Sequence, residues 1–121
     1  MTLELEYRRN SATPRGHGKQ FKPLLEPLFG AELFPGSLNL WSAKKLRLPE
    51  PVEVLNGLWH LWPVVLEERI NAVAARRSDA FEPRLLEVFS HVEVAAKLGL
   101  TPGARVGLRV LPGESLAAFL M

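Results

Sequence analysis

What most limits the folds open to this chain is that its apolar residues are cut into short, β-rich runs by Pro, Gly and Asn. "LELEYR" alternates like a strand, and "NSATPRGHGK" stops it with Asn, Ser, Pro and two glycines, which predicts a loop of about ten residues. "LWHLWPVVL", "INAVAARR" and "PRLLEVFSHV" read as three further strands. "TPGARVGLRVLPGESLAAFL" adds a Pro-Gly turn, a strand, a second Pro-Gly turn and a last apolar segment. Several short strands with turn signals between them predict a mainly β chain closed into a small barrel.

Helical signals are brief. "QFKPLLEPLFG" puts Phe21, Leu24, Leu25 and Leu28 on one face, with Pro23 and Pro27 expected to confine it to short turns before Gly30. "VEVAAKLGL" predicts a short amphipathic helix ended by Gly99 in the left-handed conformation. "SAKKLRLPEPVEVLNG" reads as a surface connection.

A chain of 121 residues with 47% hydrophobic residues can bury a core of its own, so residues 1–121 are read as a single domain. Lys and Arg total 15 against 13 for Asp and Glu. The net charge of +2 is far from the basic surface that nucleic-acid binding favours, and no nucleic-acid partner is expected. The absence of cysteine excludes disulfides and thiolate metal sites. No apolar run approaches the roughly 20 residues of a membrane helix, and "MTLELEY" lacks the plan of a signal peptide. The expectation is a cytoplasmic protein without a membrane partner.

"FPGSLNLW" carries the most pointed chemistry. Residues two apart on a strand share a face, so Ser37 and Asn39 would stand together while Leu38 and Leu40 anchor the other side. A hydroxyl and an amide oxygen side by side suit a hard cation such as Mg²⁺; they suit equally the backbone groups of a turn. Glu87, inside the apolar run "LLEVF", is costly as a buried carboxylate unless paired or bound. "WHLW" offers Trp59 and Trp62 for ring stacking or for the core. Arg76 and Arg77 read as a solvated strand end or a phosphate contact. His17, His60 and His91 have no metal-ligand spacing.

Two segments resemble a known family. "FGAELFPGSLNLW" is similar to the phosphate and metal segment of the archaeal-type CTP-dependent riboflavin kinases, in which a helix ends at Gly and runs through a Pro-Gly-Thr-Leu-Asn stretch. "LLEVFSHVEVAAKLGLTPGARVGLRVL" looks like the C-terminal part of that family, where a Glu-bearing strand leads into a short helix and a glycine turn. With a weaker match over "LWHLWPVVLEERINAVAARRSD", the resemblance covers most of residues 1–111.

The resemblance implies a six-stranded cradle-loop barrel related to the RIFT barrels, with short helices. It implies riboflavin and a nucleotide, most simply CTP, as substrates, FMN as product and Mg²⁺ as cofactor. Ser37, in place of the family's Thr, and Asn39 would be the metal ligands. The nucleotide loop falls either on Arg8, Arg9, Asn10, Ser11, Ala12 and Thr13 or on the "RGHG" stretch with Gly16 and Gly18. A second nucleotide contact falls on Val92, Glu93, Val94 and Ala95, where Ala95 replaces a frequent Arg. The flavin contacts would be Ser78, Asp79 and Glu87, with Glu87 also the catalytic candidate. The alternatives are a degenerate barrel that binds nucleotide or flavin without turnover, and a dimeric DNA-binding barrel of the swapped-hairpin kind, whose glycine turn is similar.

Overall fold

The computed structural model describes residues 1–10, 17–79 and 82–121. Within them the chain runs β1 (Thr2–Asn10), α1 (His17–Phe29), β2 (Leu38–Trp41), β3 (Glu53–Leu55), β4 (Trp59–Leu66), β5 (Ile70–Arg77), β6 (Leu85–Phe89), α2 (Val94–Leu98), β7 (Arg105–Val110) and α3 (Leu116–Leu120). The strands pair antiparallel in the order β3-β4-β5-β6-β2-β1-β7, and β7 returns to β4. That last pairing closes a six-stranded barrel, with β3 as an extra strand on β4.

Alternation along the strands divides the apolar residues between two cores. Leu5, Tyr7, Leu38, Leu40, Trp62, Val64, Leu86, Val88, Val106 and Leu108 fill the barrel, where Trp62 faces the small Ala74 across the β4–β5 ladder. The opposite faces of β4, β5 and β6 present Trp59, Leu61, Val73, Ala75 and Phe89 outward to Phe21 and Leu25 of α1 and Leu116 of α3. Two-sided burial explains why β4 and β5 read as nearly continuous apolar runs. Pro63 is tolerated inside β4 because it falls between the residues that pair with β3, Trp59–Leu61, and those that pair with β7, Val64–Leu66.

Three expectations change. α1 is one continuous helix despite Pro23 and Pro27. The two prolines are one helical turn apart and both exposed, so the carbonyls that lose partners face water. The apolar face that holds the helix down is untouched, with Phe21 and Leu25 fully buried. The stretch read as a loop between β1 and α1 is entered from both ends, since Asn10 belongs to β1 and His17, Gly18 and Lys19 to α1. The connection after β2 contains β3 and serves as a lid over the barrel's end. Leu46 is buried there, and the Trp62 indole donates to the Pro49 carbonyl at 2.9 Å. Arg76 reaches the same end, 6.0 Å from the Trp62 ring and donating to the Leu46 carbonyl at 3.4 Å, while burial lowers its pKa.

The β4–β5 hairpin turns on two non-glycine residues at positive φ, Glu67 (50°) and Glu68 (52°), the backbone of a type I′ turn. Contacts to β7 hold it: Glu67 Oε2 accepts from the Gly107 amide, and Arg109 clasps the Glu68 carboxylate. A side chain at 107 would crowd that carboxylate, since an added Cβ would sit 2.9 Å from Glu67 Oε2. Because the Glu68–Arg109 pair is exposed and the left-handed backbone is strained, Glu68→Gly is expected to raise Tm by about 2–4 °C, checked by thermal melting.

Candidate functional site

β2 is entered through the Pro35-Gly36 turn, where Gly36 at φ 85° takes a conformation most side chains avoid. The Phe34 amide donates to the Ser90 carbonyl at the end of β6, and the Leu33 amide to the Glu26 carboxylate of α1. These bonds fix the turn against both elements, and Ser37 is left 5% exposed at the mouth of β2.

The ladders then set what lies beside it. Asn39 is opposite Arg9 of β1 and opposite Glu87 of β6, and Glu87 is opposite Ala75 of β5. In β1 a bulge between Tyr7 and Arg9 leaves Arg8 unpaired and brings Arg9 rather than Arg8 level with Asn39. Asn39 and Glu87 are half-buried on the barrel's outer face, the face that α1 covers further along β6 at Phe89.

Ser37 Oγ lies 3.2 Å from Asn39 Oδ1 and 3.3 Å from Glu87 Oε2. Its single hydroxyl proton is shared between the two acceptors, so Asn39 and, fifty residues on from Ser37, Glu87 meet at one hydrogen-bond node. Ser37 and Asn39 therefore do face one another, as the alternation predicts, and Glu87 joins them. A metal ion held at about 2.0–2.1 Å by an octahedron of oxygens keeps neighbouring ligands about 2.9 Å apart. The observed spacings are close to that, and hydroxyl, amide and carboxylate oxygens are the donor types Mg²⁺ takes, so this set fits the ion. Among the described residues no group of three or more His, Asp and Glu side chains is placed to hold a metal by itself. A metal ion held here would take the rest of its shell from outside the protein.

A crevice of about 10 Å³, room for one water, connects Gly36, Ser37 and Leu38 with Ser90, Val92 and Val94. It brings the segment read as metal-binding against the segment read as the second nucleotide contact. Within that segment Val94 and Ala95 are buried, while Glu93 is exposed at the start of α2, which Gly99 ends in the left-handed conformation.

The other expected residues are dispersed. Ser11, Ala12, Thr13 and Gly16 lie outside the described residues, and Gly18 is in the first turn of α1. Arg8 stacks on the Trp41 ring at 4.5 Å and donates to Glu6 at 3.0 Å. Ser78 and Asp79 lie past the end of β5, further along that strand than Ala75, the residue opposite Glu87. Ser78 is tied by its amide to the Leu58 carbonyl. Asp79 is gripped by two hydrogen bonds from Arg77, which hold its carboxyl below the ordinary value. Trp59 and Trp62 are core residues, each 2% exposed. Trp41 lies two positions beyond Asn39 on the same face of β2, and Phe34 lines the crevice beside Ser37. The period-two alternation that pairs Ser37 with Asn39 carries on to Trp41.

Among the described residues no helix is long and apolar enough to cross a membrane. No model of a known protein family and no curated protein sequence matches the chain.

Proposed function

We propose that this barrel is a Mg²⁺-dependent riboflavin kinase that takes its phosphoryl group from a nucleoside triphosphate, CTP in the first instance. The observation that carries the reading is the convergence of the Ser37–Asn39 pair with Glu87, fifty residues away from Ser37 in sequence, on one hydrogen-bond node beside the Val92–Val94 segment. Ser37 Oγ and Asn39 Oδ1 would hold the ion, which when bound offsets charge on the phosphate oxygens. Glu87, half-buried on β6 between β2 and β5, would accept the proton of the attacking ribityl hydroxyl.

In that transfer the hydroxyl oxygen bonds to the γ-phosphorus, the bond to the bridging oxygen of the donor breaks, and the nucleoside diphosphate leaves. Such chemistry asks mainly for positioning of the two substrates. Backbone amides of Val92–Ala95, leading into α2, would be the nucleotide contacts, and the face of the Trp41 ring not covered by Arg8 would stack on the isoalloxazine, two positions from Asn39 on β2.

The test is to incubate the chain with riboflavin, Mg²⁺ and each nucleoside triphosphate in turn and to separate FMN chromatographically. FMN formed with CTP and suppressed by a chelator is the expected result. Quenching of flavin fluorescence without any FMN would assign the barrel to the binding-only class. No quenching and no FMN with any donor would overturn the flavin reading altogether.

A further inference from the structure

A second cavity, of about 480 Å³, opens at the other side of the β6–α2 connection, and none of Ser37, Asn39 or Glu87 lines it. Its polar lining comes from Arg69 at the end of the β4–β5 turn, Asn71 of β5, His91 and Lys97 of α2. Phe29, Ile70, Val92 and Leu120 form its apolar wall, and the Phe29 and His91 rings pack at 5.1 Å with a tilt of 37°. The volume falls in the range of small-molecule sites.

The charge in this cavity is one-sided. No carboxylate lines it, and neither Arg69 nor Lys97 belongs to an ion pair among the described residues. The acidic residues nearest in sequence to Arg69 are engaged elsewhere, Glu67 with the Gly107 amide and Glu68 with Arg109. Two cations from separate elements and the Asn71 amide therefore line a space whose remaining wall is apolar and aromatic. An anion alone would leave that wall in water, and an apolar molecule alone would leave the cations without a counter-charge.

We infer that this cavity is a binding site for a small phosphate monoester with an aromatic body, its phosphate between Arg69 and Lys97 and its ring against Phe29 and His91. Arg69 supplies a planar fork of donors and Lys97 a point charge, the pairing that a dianionic phosphate can use on several oxygens at once. Of the segment read as a nucleotide contact only Val92 reaches the cavity, so the inference stands apart from the kinase reading.

The experiment is an NMR titration of the full ¹⁵N-labelled chain with phenyl phosphate, inorganic phosphate and phenol as separate probes. Phenyl phosphate is expected to shift the Asn71, His91 and Val92 amides saturably and to bind about tenfold or more tighter than inorganic phosphate, with phenol producing no saturable shift. Arg69→Ser combined with Lys97→Ser should weaken phenyl phosphate by about tenfold or more while Tm stays unchanged, because both side chains are exposed. Asn39→Ala should bind it as the parent does, which separates this site from the proposed catalytic one. Equal affinity for phenol and phenyl phosphate, shifts confined to the basic stretch Lys44–Arg47, or unaltered binding by the double variant would each overturn the inference.

Discussion

Asn39→Ala is expected to fold and melt within a few degrees of the parent and to lose FMN formation by two orders of magnitude or more. Asn39 is half-buried on the outer face of β2, so truncation opens no cavity in either core. What it removes is one of two oxygens placed around Ser37 Oγ, at 3.2 Å. Its loss as a ligand would be felt wherever phosphate charge must be offset. Asn39→Asp keeps an oxygen at the same place and should retain partial activity with a changed metal requirement. If the node is only a hydrogen-bonded turn, Asn39→Ala should instead cost about 1 kcal/mol of stability and leave turnover alone. Melting curves and FMN formation on the same two variants separate these results, and an active but destabilised Asn39→Ala protein would remove the ligand assignment. Glu87→Gln extends the comparison: it preserves shape and an acceptor toward Ser37, so a loss of turnover there reports the missing carboxylate charge.

Local pattern carried the fold a long way. Turn formers and short β-rich runs place β4, β5, β6 and β7 near their observed bounds, since apolar, β-branched composition and turn chemistry are properties of neighbouring residues. α1 was harder to read because Pro23 and Pro27 argue locally against a helix, and only packing of Phe21 and Leu25 onto β4, β5 and β6 overrides them. β3 was missed for the same kind of reason. Glu53 and Val54 are exposed and Leu55 only partly buried, so its strand character comes from pairing with β4 and not from its own pattern.

The candidate site divides along the same line. Ser37 and Asn39 are legible as a pair because they are two apart on one strand. That Glu87 meets them depends on β2 and β6 being neighbours in register, Asn39 opposite Glu87, which no local pattern contains. Asp79 shows the reverse case: a residue placed in the flavin site by resemblance carries a local bidentate partner, Arg77, two positions away. The role of Arg76 at the barrel's end is likewise invisible without knowing that the connection after β2 folds back over Trp62.

Phe21→Ala is expected to be the most damaging single truncation of the outer core, costing about 3–5 kcal/mol and lowering Tm by about 10–20 °C. Phe21 is fully buried and packs edge-on against Trp59 at 5.2 Å and against Phe89 at 4.6 Å, so its removal leaves a void bounded by β-strands that cannot close around it. A loss of that size is a large share of the 5–15 kcal/mol typical of a small domain. The strands that floor the outer core, β4, β5 and β6, also wall the barrel, with Leu61, Val73 and Phe89 on one face and Trp62, Ala74 and Val88 on the other. Helix and barrel should for that reason melt in one transition, with far-ultraviolet ellipticity and tryptophan fluorescence falling together in the parent and in Phe21→Ala. An α1 that frays well before the barrel would show as helix loss preceding the fluorescence change, and would mean that the outer core is a separate, weaker unit. Since Phe89 and Glu87 share a face of β6, that outcome carries a second consequence: Phe21→Ala would lose FMN formation at temperatures where its tryptophan signal is still native.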